Sequence, residues 1–297
     1  MGKFKIKDGG RYFIKLITIL IIYFLAGKLS LSFAFLNIHA SAIWLPTGIA
    51  FVALLRNYKF WPAIFIGAFL VNLSTPTPPL VSMGIAVGNT LEGLIIAFLT
   101  IKFAEGNKIF DKPKNVFLLL IFAIAGCVVS ATIGITSLVL GNASSWNEYI
   151  TSWFTWWVGD LISVFLVAPI VLSWDRKFSV FKEKPIESTL ALLSIAAVGF
   201  LVFTSFSPIE SADYPLPFIC ILPVLWIAIR LGQQAKGIGI IILTGIALYG
   251  TVNGDGPFSL ASQNASLIIL QIFVGVTIFT GLIITSLVKE KGSYRKK

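Results

Sequence analysis

Runs of about twenty apolar residues, separated by short polar segments, dominate this sequence and most constrain its fold. Of the 297 residues, 57% are hydrophobic and only 12% are charged, and the mean hydropathy is +0.91. A run of that length is what an α-helix needs to cross a bilayer. No polar stretch exceeds about fifteen residues, which is too short for a soluble domain between spans. The sequence therefore predicts a single all-α polytopic membrane protein.

Ten apolar segments are candidate transmembrane helices. They lie near 12–36, 43–56, 60–73, 80–103, 115–140, 153–173, 188–207, 215–230, 236–252 and 265–288. The second and third cover only about 21 Å at 1.5 Å per residue, so they must thin the bilayer locally or rely on tryptophans at its interfaces. The alternative is eight helices plus a membrane hairpin over 43–73, but that hairpin would place Arg56 and Lys59 inside the membrane. We therefore predict about ten crossings.

The distribution of positive charge predicts the orientation of these helices. With a cytoplasmic N-terminus, every Lys and Arg except Lys15 and Lys28 falls in an inner segment, and the outer loops hold none. Cytoplasmic loops carry the excess of Lys and Arg in membrane proteins, so both termini are predicted to be cytoplasmic. The net charge of +10 is then a topology signal, because no nucleic-acid-binding motif accompanies it. The predicted regions are a basic N-terminus at 1–11, a transmembrane unit at 12–288 and a basic tail at 289–297.

Metal, redox and catalytic motifs are missing from the sequence. The two cysteines, Cys127 and Cys220, lie far apart in apolar segments, and His39 is the single histidine. This pattern supports neither a metal site nor a redox pair. There is also no HExxH, GxSxG or paired-aspartate metal motif. We therefore expect no cofactor, no metal and no enzymatic activity.

Three charged residues fall inside predicted spans at similar depths. Counted from the outer helix ends, Glu92 lies about twelve residues deep, Lys28 about eight and Asp160 about seven, which at 1.5 Å per residue places all three in a slab about 8 Å thick. A lone charge in hydrocarbon is costly, so such residues usually face the bundle interior and pair. We predict an intramembrane ion pair between Lys28 and Asp160 or Glu92.

One negative charge remains after that pairing, and a bound proton, a cation, Asn89 or a cationic ligand must meet it. Asn89 lies on the same helix face as Glu92, three residues earlier. The predicted ligand-binding residues of this polar cavity are Asn89, Glu92, Asp160, Trp157, Asn72 and Gln271. The alternative is that these groups only lock helices together through buried hydrogen bonds, with no ligand.

An ordered series of short motifs resembles the MASE1 integral membrane sensor domain over about residues 12 to 288. The motifs are WLPTGIA (44–50), WPAIFIGAFLVN (61–72), GNTLE (88–92), WWVGD with APIVLSW (156–174), YPLPF and LPVLWIAIRLG (214–232), GPF (256–258) and LQIF (270–273). By motif match, the family-like polar positions are Asn89, Glu92, Asp160, Arg230 and Gln271. Lys28 matches no motif, so its predicted ion pair depends on depth alone.

The resemblance implies a multi-helix input module of a bacterial or archaeal inner membrane. Such modules are usually joined at the cytoplasmic C-terminal end to a histidine kinase, a diguanylate cyclase or a related signalling domain. Here only KEKGSYRKK follows Val288. A stand-alone form that signals through a partner and a fragment cut at the junction both stay open.

The expected function is therefore sensing: an unknown small ligand or stimulus acts on the polar cavity, and the last span passes the change to the cytoplasm. The alternative is a membrane transporter, or the substrate-binding subunit of a vitamin-type importer, since a spare intramembrane negative charge also suits proton or cation coupling. A membrane enzyme is the least favoured class, because no catalytic motif supports it.

Overall fold

The computed structural model describes residues 6–32, 42–173, 179–206 and 216–294. Within those ranges all regular structure is helical. The α-helices are α1 (Ile6–Ser32), α2 (Leu45–Arg56), α3 (Trp61–Leu73), α4 (Pro79–Phe103), α5 (Pro113–Leu140), α6 (Tyr149–Ser173), α7 (Ser179–Glu183), α8 (Pro185–Phe203), α9 (Ile221–Arg230), α10 (Gly232–Val252) and α11 (Gln263–Tyr294). Short 3-10 helices occupy Tyr58–Phe60, Gly106–Asp111, Trp146–Glu148 and Leu216–Cys220. The predicted all-α class is confirmed.

Each of the ten predicted spans overlaps one of these helices. Seven helices in the described part of the chain are long and apolar enough to cross a membrane, and three apolar stretches, Leu45–Arg56, Tyr58–Leu73 and Leu216–Arg230, are shorter. The exact count of ten crossings and the cytoplasmic position of both termini therefore stay predictions. Of the predicted outer loops, 208–214 lies outside the described residues, and so does 37–42 except for Ala42; the predicted helix end 33–36 lies outside them as well.

Proline marks the start of many of these helices. A proline occupies the first turn of α2, α3, α4, α5 and α8. The first turn tolerates proline because its N–H groups have no intrahelical acceptor and the ring fixes φ near its helical value. These positions explain why apolar runs joined by short segments divide into separate helices. Between α9 and α10 the chain turns at Gly232, whose φ of 75° is readily adopted only by glycine.

The helices pack as two groups that share α6. In the first group, α4 packs against α2, α3 and α5, while α2 also packs against α1 and α6. In the second, α10 packs against α8, α9 and α11. Since α6 contacts α2 and α5 on one side and α10 and α11 on the other, it joins the two groups. A displacement of α6 would therefore alter packing contacts in both groups.

The start of α2 lies unusually close to the middle of α6. A Cβ atom on Gly48 would lie 2.4 Å from the Ser163 carbonyl oxygen, so only glycine allows this approach. The Gly48 N–H donates to the Ser163 hydroxyl at 3.0 Å. This bond satisfies one of the first-turn N–H groups that an α-helix leaves without an acceptor. The approach brings the neighbouring Thr47 against α6, where the candidate site lies.

Candidate functional site

Glu92 and Asp160 meet at one threonine hydroxyl in the first helix group. Thr47 Oγ1 lies 3.2 Å from Glu92 Oε2 and 2.9 Å from Asp160 Oδ1. Both carboxyl groups are completely buried, at 0% exposure, and Thr47 is 1% exposed. The contact joins α2, α4 and α6 at a single point. The sequence-based prediction that Glu92 and Asp160 lie at a common depth is consistent with this meeting.

A serine hydroxyl makes a second bridge to Asp160. Ser130 Oγ on α5 lies 2.9 Å from Asn89 Oδ1 and 3.1 Å from Asp160 Oδ2. Ser130 is fully buried and Asn89 nearly so. We call Thr47, Asn89, Glu92, Ser130 and Asp160 the acid cluster. It is assembled from four helices, and no lysine or arginine of the described residues is among the hydrogen-bond partners of its two carboxyl groups.

Helical spacing explains why the side chains converge. On α4, Asn89 and Glu92 are three residues apart and share a face. On α5, Cys127 and Ser130 repeat that spacing, and the Cys127 thiol lies beside Glu92. The first turn of α2, with the positive end of its helix dipole, carries Thr47 to the two carboxyl groups. That helix end offsets part of their negative charge.

Aromatic side chains with polar atoms close the acid cluster. The Tyr23 ring, fully buried on α1, lies near Trp44, Asn89 and the two carboxyl groups. On α6 the Trp156 indole, 8% exposed, lies near Asp160. Within the described ranges, the hydroxyl of Tyr23 and the ring nitrogens of Trp44 and Trp156 have no hydrogen-bond partner. The wall of the cluster therefore contains unused donors.

Two atoms of the cluster itself, Glu92 Oε1 and Asn89 Nδ2, also lack a hydrogen-bond partner in the described part of the chain. Buried polar atoms in folded proteins are nearly always hydrogen-bonded, so each exception calls for an explanation. Here an acceptor and several donors without partners surround one site.

The predicted ion pair of Lys28 is not formed. Lys28 is exposed on α1 and donates to Ser74 Oγ at 3.1 Å, beyond the end of α3. On α1 the inward face carries Tyr23, Gly27 and Ser30, and Lys28 points away from it. Depth alone gave the wrong result because it ignores which side of the helix a residue occupies. Both carboxyl groups of the acid cluster thus lack the cation that the sequence predicted for one of them.

The other predicted site residues lie around the acid cluster rather than in it. Trp157 is half-buried, donates to the Ile124 carbonyl at 3.4 Å and stacks on Trp153, so it is Trp156 that lies near Asp160. Asn72 is buried and donates to the Ala68 carbonyl of its own helix at 2.9 Å. None of the contacts of Trp157 and Asn72 tests a ligand, so their predicted roles stay predictions.

Gln271 joins three parts of the chain next to the cluster helices. Its Nε2 donates to the Ala42 carbonyl at 2.8 Å and to the Thr155 carbonyl at 3.1 Å, which ties α11 to α6 and to the segment before α2. The Gln271 Oε1 atom is buried without a partner. Its predicted ligand role stays a prediction, and its observed role is to hold α11 against α6.

Thr47, Ser130 and Tyr23 were not identified as site residues from the sequence. Hydroxyl residues are common in membrane helices and usually bond to their own backbone, as Thr90 does to the Ala86 carbonyl. A usable signal for Thr47 was its position beside Pro46 and Gly48, since a helix start next to a small residue allows close packing. Ser130 follows Cys127 by three residues, which places both on one face of α5.

A second buried charge lies in the other helix group. Lys236 on α10 is 1% exposed, and its Nζ donates to Gln233 Oε1 at 2.8 Å and to the Gly281 carbonyl at 3.2 Å. A Cβ on Gly281 would lie 3.0 Å from Lys236 Cδ, so glycine leaves the space that the lysine stem fills. All acceptors of this ammonium that the structure records are uncharged.

A cleft of about 290 Å³ lies at the end of the bundle that is predicted to be cytoplasmic. Its walls include Pro169 and Ser173 of α6, Gln233 and Gln234 of α10, and Lys289 of α11. Gln234 donates to the Ser173 carbonyl at 2.7 Å, and Lys289 forms an ion pair with Asp111. At the cleft the start of α10 is therefore bonded to the end of α6, and the end of α11 is paired with the Gly106–Asp111 helix.

No metal site accompanies either buried charge in the described part of the chain, where no group of three or more His, Cys, Asp or Glu side chains is placed to hold an ion. The polar groups of the acid cluster are two carboxyls, two hydroxyls and one amide.

Comparison with known proteins identifies the family. The sequence model of the MASE1 family matches residues 15–291, nearly the whole chain. Neither the curated proteins nor the solved structures contain a significant match. A family match of this extent, over a bundle of apolar helices, is decisive, and the resemblance of the motifs is confirmed. The chain belongs to the MASE1 family, a family of integral membrane sensor domains.

Proposed function

We propose that the stimulus sensed by this membrane domain acts on the acid cluster, and that α6 and α11 pass the resulting change to the predicted cytoplasmic end. One observation carries the proposal: in the part of the chain that the structure describes, two fully buried carboxyl groups meet at Thr47 without a cation, among polar atoms that have no partner. Polar and ionisable groups inside a membrane are costly and usually functional. A cluster held together at one threonine is also sensitive to small changes in charge.

The position of the cluster supports a mechanical role. Thr47 touches side chains of α4 and α6 at once, so gaining or losing a charge there alters the forces among three helices. A stimulus shifts an equilibrium only if it binds one helix arrangement better than the other. Because α6 also packs against α10 and α11, its movement changes contacts in both groups.

Contacts join α6 to the first part of α11, and other contacts hold the end of α11 at the cleft. Thr155 bonds Asn264 at 2.8 Å, and its carbonyl accepts from Gln271. Nine residues beyond Asp160, Pro169 interrupts the hydrogen bonds of α6, which makes a bend at that point easier. Below it lie the cleft and the Asp111–Lys289 ion pair. These contacts make the cleft end of the bundle the proposed output surface.

The proposed partner is a cytoplasmic signalling protein of the histidine kinase or diguanylate cyclase type, and no catalytic step is assigned to this chain. The test is affinity capture of the tagged chain from its native membranes, read by mass spectrometry, followed by assay of the captured enzyme. We expect a kinase or cyclase whose activity differs between the wild type and Glu92→Gln. Glu105→Gln, an exposed substitution outside the cluster, is the matched control and should behave as wild type.

A transport function is the second candidate, and the surplus negative charge of the acid cluster favours it. Capture of an ATPase pair with a coupling membrane subunit, or uptake of a labelled solute by proteoliposomes, would establish transport and contradict the sensor proposal. A captured kinase or cyclase that responds equally with the wild type and Glu92→Gln would instead show that the cluster only locks helices.

A further inference from the structure

The hydrogens available to the acid cluster are too few for two ionised carboxylates. A threonine or serine hydroxyl supplies one hydrogen, and a carboxylate supplies none. Yet Thr47 Oγ1 contacts one oxygen of Glu92 and one of Asp160, both at hydrogen-bonding distance. If both groups were ionised, one of these contacts would set lone pairs against lone pairs. A hydrogen is missing at this junction.

The second junction, at Ser130, can be balanced without a proton on a carboxyl. Ser130 Oγ lies between Asn89 Oδ1 and Asp160 Oδ2. The oxygen and nitrogen of an asparagine amide are assigned from their hydrogen bonds. Turning the Asn89 amide over lets its NH₂ donate to Ser130, which then donates to Asp160. This orientation also gives a partner to the amide nitrogen that otherwise has none. The deficit therefore remains at Thr47 alone.

We propose that the acid cluster is a proton-binding site in which Glu92 carries one proton and donates it to Thr47, while Asp160 stays ionised. The hydrogen bonds then run in one direction, from Glu92 through Thr47 to Asp160, with Ser130 donating to the other oxygen of Asp160. Asp160 thus receives two hydroxyl donors, whereas Glu92 Oε1 has no partner among the described residues and only the Cys127 thiol, a weak donor, lies beside Glu92. A carboxyl with fewer donors is the one held neutral. Two buried carboxyl groups in contact can share one proton in this way.

The ligand class follows from the geometry. The cluster is fully buried, and its oxygens touch directly at 2.9 and 3.2 Å. A bound Ca²⁺ ion would need about 2.3–2.6 Å to each of several oxygens and space at their centre. A proton needs no such space and completes the hydrogen count. The inference deepens the proposed function by naming its stimulus as a change in proton occupancy.

Few other charged groups face the two carboxyls from the surrounding helices. Among the described residues, Tyr23 of α1 and Cys127 of α5 are the titratable neighbours. Along α2 the only ionisable residue is Arg56, at the far end, and α3 contains none. The single lysine buried in α10, Lys236, is engaged with Gln233 and Gly281. We therefore assign the gain and loss of the proton to the carboxyl groups of Glu92 and Asp160.

Infrared difference spectroscopy of the purified chain in lipid nanodiscs tests the proposal, because a neutral carboxylic acid has a carbonyl band that a carboxylate lacks. We expect the wild type to show one such band at neutral pH, to shift it in D₂O and to lose it at alkaline pH. Glu92→Gln should abolish the band, and Glu105→Gln should retain it. No band, or a band that persists in Glu92→Gln, would overturn the proposal, as would displacement of the band by added Na⁺ or K⁺.

A second pair of variants serves if Glu92→Gln fails to fold. Thr47→Val removes the acceptor of the proposed Glu92 proton, and Thr47→Ser keeps it; gel filtration checks that both fold. The carbonyl band should shift in Thr47→Val and return close to its wild-type position in Thr47→Ser. An identical band in all three proteins would overturn the proposal.

The spectroscopic test requires no partner, so the two proposals can fail separately. A normal band without any captured signalling enzyme would contradict the sensing role and leave the proton in place. A captured enzyme regulated through Glu92, with no carboxyl band, would contradict the proton alone.

Discussion

Each of the two helix groups buries ionisable side chains, but the hydrogen-bond partners of these side chains differ. In the second group Lys236, four residues after the Gly232 turn, donates to the Gly281 carbonyl and to Gln233, whose Nε2 has no partner among the described residues. In the first group Glu92 and Asp160 meet with no cation, and several polar atoms around them have no partner. A buried charge with uncharged acceptors near a helix end is a structural solution. A buried pair of carboxyl groups, surrounded by polar atoms without hydrogen-bond partners, is instead suited to gaining or losing a proton.

The largest difference between the two helix groups is expected when one methyl group is added to a glycine in each. Gly48→Ala would press a Cβ to 2.4 Å from the Ser163 carbonyl oxygen, whereas Gly245→Ala on α10 meets nothing within 4 Å. We expect Gly48→Ala to lower the free energy of unfolding by about 1–3 kcal/mol through overpacking. Gly245→Ala should raise it by up to about 1 kcal/mol through helix propensity.

Thermal or denaturant unfolding in detergent measures both glycine variants. Similar destabilisation by the two substitutions would contradict the close α2–α6 approach on which the acid cluster depends.

A matched pair of threonine substitutions has the next largest effect. Thr47→Val removes the hydroxyl shared by Glu92 and Asp160, and we expect a loss of about 1–3 kcal/mol because buried polar atoms lose their partner. Thr251→Val removes only a bond to the Ala247 carbonyl of its own helix, at 2.8 Å, and should cost less than about 1 kcal/mol. Unfolding free energies compare the two, and equal losses would mean that Thr47 is an ordinary helix threonine.

Lys236→Met tests whether the second buried charge is only structural. Methionine fills the space of the lysine stem beside Gly281 without a charge to bury. The free energy of unfolding should fall by less than about 1.5 kcal/mol or rise, since apolar groups of similar volume often replace buried charges without loss. The activity of a captured signalling enzyme should be unchanged. A loss of regulation equal to that of Glu92→Gln would place both charges in one mechanism.

The smallest effect is expected at the exposed pair of Glu105 and Lys112, 2.5 Å apart. The hydrogen bond from Lys112 lowers the pKa of Glu105 below its ordinary value of 4.5. A lowered folded-state pKa means that the pair stabilises the fold above the unfolded-state pKa and loses this contribution as pH falls through the folded-state pKa. Glu105→Gln should therefore lower the melting temperature slightly at neutral pH, and the difference from the wild type should vanish as pH falls through the folded-state pKa of Glu105. A difference that persists in acid, where Glu105 of the wild type is neutral, would contradict this assignment.

The sequence predicted the helices well because membrane crossing requires long apolar runs, and every predicted span overlaps a helix. It also identified Glu92, Asp160 and Asn89, since polar residues in such runs are conspicuous. The position of Lys28 could not be predicted from depth, because the direction of a side chain depends on packing. The pattern Tyr23, Gly27, Ser30 on the inward face of α1 emerges only when α1 is seen against its neighbours. Thr47 joins the site only through the α2–α6 contact at Gly48.

The most direct test of the central claim is a distance measurement at the cleft end of the bundle. Spin labels on Lys108→Cys and Gly292→Cys, both at exposed positions, would report by pulsed electron spectroscopy how the end of α11 moves against the Gly106–Asp111 helix. The two native cysteines are buried. We expect the distribution of distances between the two labels to change between mildly acidic and alkaline pH in the wild type and to stay fixed in Glu92→Gln. A distribution that ignores pH, or that shifts equally in Glu92→Gln, would contradict the central claim.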